Sequence, residues 1–132
     1  MFSLDVVFLV WNTAEMPWAV EYTPEFEAWW DTLSEDEQVE VNTKVELLEE
    51  HGPTFPRPYA DVITSSRHAN MKELRGKVEQ RYLRVLYAFD PRRTALLLIG
   101  GDKTGDPGWY ERFVPIADDL FDQHLIRLAR KS

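Results

Sequence analysis

A chain of 132 residues has room for one domain with one core, and its 44% apolar content, with five Trp and seven Phe, excludes a dominantly disordered state. The absence of cysteine excludes disulfides and thiolate metal sites. A net charge of −8 argues against diffuse nucleic-acid binding, but the charge is uneven: residues 1–61 carry −12, residues 67–103 carry +5 and residues 104–132 carry −1.

The opening MFSLDVVFLVW is apolar but lacks the basic leader of a signal peptide, carries Asp5 and is too short to span a bilayer. Residues 1–15 are read as an N-terminal extension, loose or adding a strand, with Met16 as an alternative start. The patterned sequence begins at Trp18, and 1–132 is read as a single domain. Trp18 to Tyr22 suggests a short strand. Thr23-Pro24 then opens a helix, with Thr as N-cap, Pro at the first helical position and Glu25 and Glu27 in the first turn. Phe26, Trp29, Trp30 and Leu33 give it an apolar face suited to core packing. Ser34 and Glu37 form the capping-box pattern of a second helix, whose Val41, Val45 and Leu48 lie at i, i+4, i+7 and which ends at His51-Gly52-Pro53. So little chain separates the two helices that they should form an antiparallel hairpin.

Thr54 to Asn70, with Pro56 and Pro58 and no clear period, reads as a loop crossing to a sheet. Met71–Gly76, Gln80–Asp90 and Ala95–Ile99 read as three consecutive strands, joined by short turns and therefore antiparallel. Asp90-Pro91-Arg92-Arg93 is a tight turn. Gly100 to Gly105 reads as a loop, and Pro115 as the first residue of a last helix with Ala117, Leu120, Phe121, His124, Leu125 and Leu128 on its apolar stripe. The fold class is α+β: a helical hairpin on one face of a mainly antiparallel four-stranded sheet, with a C-terminal helix.

Cations concentrate on the strands and the turns beside them: Lys72, Arg75, Lys77, Arg81, Arg84 and Lys103, with Arg112 further on. Strand alternation sends Arg84 to one face with Tyr82 and Leu86, and Arg81 to the other. Arg84 lies among apolar neighbours, so it must either face a wet groove or pair with a core carboxylate such as Glu73. Arg75 ends its strand beside Gly76, and its planar fork suits a phosphate. Lys103, on a glycine-flanked loop, can reach a phosphate as a point charge, although GGDKTG has the wrong spacing for a phosphate-binding loop. Tyr110, after Gly108-Trp109, can stack on a base or transfer a proton. His124 reads as structural, and His51 and His68 have no metal-ligand spacing.

Taken together, VEYTPEFEAWW, KELR at 72–75, YLRVLYAFD at 82–90, LLLIGGDKTG and WYERFVPIADDLFDQHL make residues 18–128 resemble the RelE/ParE superfamily of bacterial type II toxins. The nearest likeness is to its HigB-like branch, related to phage-derived proteins. The resemblance implies a metal-independent, cofactor-free endoribonuclease that cuts mRNA in the ribosomal A site by attack of a 2′-hydroxyl on the adjacent phosphate. It implies a cytoplasmic protein with the ribosome, mRNA and a HigA-like helix-turn-helix antitoxin as partners, DNA reached through the antitoxin alone, and no membrane. Arg84 would contact the scissile phosphate, Arg75 and Lys103 would support it, and Tyr110 would stack or move a proton. Lys72, Lys77, Arg81 and Arg112 would bind RNA. RelE carries a lysine pair on the strand before its arginine, where this chain has Met71 and Glu73. The alternatives are a ParE-like inhibitor of DNA gyrase and a non-toxic homologue that binds an antitoxin.

Overall fold

The computed structural model describes residues 18–131; the expected extension at 1–15 and the alternative start at Met16 lie outside them. In chain order the elements are β1 (Val20–Tyr22), α1 (Pro24–Trp30), α2 (Glu35–His51), a short 3-10 turn (Gly52–Thr54), β2 (Ala60–Val62), β3 (Lys72–Val78), β4 (Arg81–Phe89), β5 (Ala95–Asp102) and α3 (Trp109–Lys131).

The helix starts follow the capping chemistry of the sequence. The Thr23 hydroxyl accepts from the Phe26 amide (3.0 Å) and donates to the Leu98 carbonyl (2.6 Å), so one side chain caps α1 and ties it to β5. At α2 the Glu37 amide donates to Ser34 (3.2 Å) and the Ser34 amide to the Glu37 carboxylate (2.9 Å), which completes the capping box.

The sheet has five strands in the order β1-β5-β4-β3-β2, not the expected four. The additional strand is β2, which pairs antiparallel with β3 inside the segment read as a loop. Three residues following two prolines leave no alternation to detect. β3, β4 and β5 form the expected antiparallel meander, whereas β1 runs parallel to β5, Val20 opposite Ala95. The sheet is therefore mixed.

Both faces are covered. Val41, Val45 and Leu48 of α2 pack with Phe26 and Trp30 of α1 against Leu74, Leu83, Val85, Tyr87 and Leu97. On the opposite face Val114, Ala117 and Phe121 of α3 pack against Leu86, Ala88, Leu96 and Leu98. A register shift beside Leu86 and Tyr87 leaves Leu98 as an extra residue in β5, which allows Leu96, Leu98 and Ile99 all to serve the α3 face.

Three boundaries differ from the sequence reading. β3 runs past Gly76 to Val78, because Lys77 and Val78 still pair with Tyr82 and Arg81, so Arg75 lies inside the strand and not at its end. β5 continues through Gly100 and Gly101 to Asp102. These glycines are places of close approach: a Cβ at Gly100 would lie 2.2 Å from Trp29 on one face, and one at Gly101 would lie 2.4 Å from Trp109 on the other. Helix α3 begins at Trp109, with Pro115 inside it. Burial of Trp109, stacked on Phe113 at a centroid distance of 4.7 Å, stabilises the additional turns enough to offset the hydrogen bond that proline cannot make. Tyr110 and Arg112 are thus helical rather than loop residues. Among the described residues no helix is long and apolar enough to cross a membrane.

Candidate functional site

Helix α3 covers only part of its sheet face. Beyond it, toward the turn joining β3 and β4, Arg75 of β3 stands directly opposite Arg84 of β4. Two like charges at this cross-strand distance repel unless a carboxylate separates them. Glu73, two residues before Arg75 on the same face, supplies it and is 3% exposed. Arg75 donates to its Oε2 from Nε (3.2 Å) and Nη2 (3.1 Å), and Arg84 Nε lies 3.4 Å from its Oε1.

Tyr110, in the first turn of α3, donates its hydroxyl to Glu73 Oε1 (2.7 Å). Burial, and then the Glu73 carboxylate, hold the phenol above its ordinary pKa, with the neighbouring Arg84 pulling the other way. Lys103 follows directly on β5, and its Nζ lies 5.6 Å from the centre of the Tyr110 ring, a cation–π contact. Arg75, Arg84 and Tyr110 are therefore brought together around one buried carboxylate, and Lys103 joins them through the Tyr110 ring. Arg75 is braced further by Asp61 of β2 (3.2 Å), which also pairs with Arg57 (3.0 Å).

Arg84 is 8% exposed. Its Nη1 donates to the Leu83 carbonyl (2.9 Å), while its Nε is a buried donor with no hydrogen-bond acceptor among the described residues. The sequence allowed Arg84 a wet groove or a pairing with Glu73; it has the pairing, at the open end of the α3 face.

Among the four residues expected to bind RNA, Lys77 lies on this face, its Nζ 5.3 Å from the centre of the Tyr82 ring. Lys72 points to the opposite face, where its ammonium donates to the Pro53 carbonyl (2.7 Å). Arg81 also takes the opposite face, paired with Glu37 of α2 and with Asp102 (2.8 Å). Arg112 pairs with Asp106 and lies over Phe113 rather than joining the Glu73 group. His124, read as structural, is hydrogen-bonded to the buried Asp90 (2.8 Å).

The residue absent from the expected site is Glu73, its centre. One signal was legible: Glu73 and Arg75 are two apart on a strand and so share a face. The contact with Tyr110 was not, because it depends on where α3 begins.

A mixed α+β sheet with arginines, a lysine and a tyrosine gathered at its uncovered end defines the structural class. The chain belongs to the Phage derived protein Gp49-like (DUF891) family, whose model matches residues 28–122. It is 45% identical over 108 residues to the protein named "Putative toxin HigB3" of Mycobacterium tuberculosis (strain ATCC 25618 / H37Rv), a match covering 81% of this chain and 93% of that protein. It is 41% identical over 100 residues to "Putative toxin HigB2" of the same organism, covering 74% of this chain and 50% of that one. The likeness to HigB-like and phage-derived proteins drawn from the sequence therefore holds.

Proposed function

We propose that the chain is the toxin of a type II toxin–antitoxin pair and acts as a ribosome-dependent mRNA endoribonuclease, restrained by a HigA-like helix-turn-helix antitoxin. The toxin reading draws on the printed names of the two relatives. The observation that carries the nuclease reading is the convergence of Arg75, Arg84 and Tyr110 on Glu73, with Lys103 over the Tyr110 ring, on one sheet face.

Each group has a role in a balanced reaction. RNA's scissile phosphate takes the place of Glu73 as the partner of the two arginines; Arg75, one-third exposed at its side chain, has the freer path. Arg84 Nε, ion-paired with Glu73 at 3.4 Å but without a hydrogen bond among the described residues, supplies a donor for a non-bridging oxygen. Glu73, released from the arginines, takes the proton of the 2′-hydroxyl, as a carboxylate base within reach of the phosphate can. The 2′-oxygen bonds to phosphorus while the bond to the 5′-oxygen breaks, and its electron pair leaves with that oxygen. Tyr110, kept protonated by its surroundings, returns a proton to the leaving oxygen. The products are a 2′,3′-cyclic phosphate and a 5′-hydroxyl. Arg75, Arg84 and Lys103 hold the charge that grows on phosphorus's oxygens, the electrostatic contribution on which such transfers chiefly depend. Every step uses protein side chains and requires no metal or cofactor.

The test is induction of the wild type, Arg84→Ala and Arg75→Ala in cells, with RNA 5′ ends mapped across coding sequences. The expected result is growth arrest and new 5′-hydroxyl ends within codons for the wild type alone. A folded wild-type protein that binds ribosomes yet leaves growth and message unchanged would refute the nuclease.

A further inference from the structure

The Tyr82 ring stands outside the core. It is the second residue of β4, paired in the sheet with Lys77, yet it joins neither hydrophobic cluster and remains 41% exposed, whereas Tyr87 five residues later is fully buried on the opposite face. A large aromatic held on a rigid strand and left uncovered is a feature to explain, because burying it would have been favourable.

Its neighbours are cationic and lie on the same face. Lys77 is its direct cross-strand partner on β3, with Nζ 5.3 Å from the ring centre. On the other side the Lys103 amide donates to the Tyr82 carbonyl (3.0 Å), which fixes the start of the Lys103 side chain beside the ring. Lys103 in turn lies over Tyr110. The open face thus carries two tyrosines, each with a lysine over its ring, next to the Arg75–Arg84 pair. In a chain of net charge −8 this local combination of aromatic faces and positive charge is the chemistry of single-stranded nucleic-acid binding.

The spacing fits a nucleotide. Tyr82 and Arg84 are i and i+2 on one strand, so they project from the same face about 7 Å apart. A phosphate held at Arg84 leaves the base of the adjoining nucleotide within reach of the Tyr82 ring, and Lys77 is free to move from the ring to the next phosphate.

We propose that Tyr82, with Lys77, is a base-stacking subsite that positions the nucleotide next to the scissile phosphate and sets preference on that side of the cut. This rests on the RNA-cleaving reading above. The ligand class is a single-stranded RNA base; the ring offers a π-face to any base, so purines, with more area to stack, are preferred.

The experiment uses ribosomes programmed with a message carrying a 2′-deoxy nucleotide at the scissile position, so that binding is measured without cleavage. Wild type, Tyr82→Ala, Tyr82→Phe and Arg84→Ala are compared, each checked for a native thermal melt. Tyr82→Ala should weaken binding roughly tenfold, the loss of one stacked base. Tyr82→Phe should bind like the wild type, because the ring and not the hydroxyl makes the contact. In cells, Tyr82→Ala should still cut but lose base preference at one position beside the cleavage point. If Tyr82→Ala binds like the wild type while Arg84→Ala does not, the subsite is wrong and the nuclease reading stands. If Tyr82→Phe is as weak as Tyr82→Ala, a hydrogen bond and not stacking is at work, and the proposal falls. If the wild type binds programmed and empty ribosomes equally, the cleavage reading fails and the subsite fails with it.

Discussion

Glu73 is the side chain on which the site depends, and its substitutions separate structure from chemistry. Gln at this position keeps an acceptor for Tyr110 and Arg75 but, like Ala, removes the counter-charge of Arg84, so Glu73→Gln should fold with lowered stability and abolish message cleavage, as read by a thermal melt and 5′-end mapping. Ala removes the partner of a nearly buried Arg84 and leaves an uncompensated charge, which should cost about 3–5 kcal/mol in a denaturant melt. Glu49 of α2 behaves differently. It is fully buried, and neither carboxylate oxygen has a hydrogen-bond partner among the described residues. Burial, and then nearby Glu46, push its pKa up from 4.5 to about 7. The folded state therefore holds this proton more tightly than the unfolded chain. Stability should be greatest below pH 4.5 as far as this group is concerned, fall as pH rises toward about 7, and level off above. Glu49→Gln should flatten that decline, so the variant should gain in melting temperature over the wild type between pH 5 and pH 8.

At the scale of elements, the glycine pair near the end of β5 is set by two indoles packed from opposite faces. A methyl at Gly101 meets Trp109, which is 1% exposed and cannot withdraw; a methyl at Gly100 meets Trp29, which is only partly buried. Gly101→Ala should therefore destabilise by more than Gly100→Ala, with about 1–3 kcal/mol expected for overpacking of this kind and a thermal melt as the measurement. The sequence made the helical hairpin and the β3-β4-β5 meander legible because capping residues, helical periodicity and short turns are local signals. It concealed β2, whose pairing with Leu74, Glu73 and Lys72 is the whole reason for its being a strand. It also concealed the role of Gly100 and Gly101, which suggested a loop because their packing partners lie some 70 residues earlier and on the next helix. The site was half legible. Alternation put Arg84 and Arg81 on opposite faces, as found, but Lys72 and Arg81 have their partners on α2 and the 3-10 turn that follows it, which no pattern in β3 or β4 discloses.

Across the whole molecule, charge is partitioned by layer. The helical hairpin carries Glu25, Glu27, Glu35, Asp36, Glu40, Glu46 and Glu50, while Arg75, Lys77, Arg84 and Lys103 share the opposite sheet face. An anionic polymer is turned away from one side and admitted at the other. Binding to programmed ribosomes should weaken as salt rises, and Lys103→Ala should lower the slope of log K against log salt by about 0.7 if that lysine meets a single-stranded phosphate. The parallel pairing of β1 with β5 bears on when such a protein becomes harmful. Thr23, at the end of β1, bonds to Leu98 across 75 residues of chain. During synthesis the first strand must wait until β5 has left the translating machine, and β4, which carries Arg84, is held between β3 and that same late strand. A growing chain therefore cannot close the sheet around its cationic face until β5 has been made and has paired with β4 and β1.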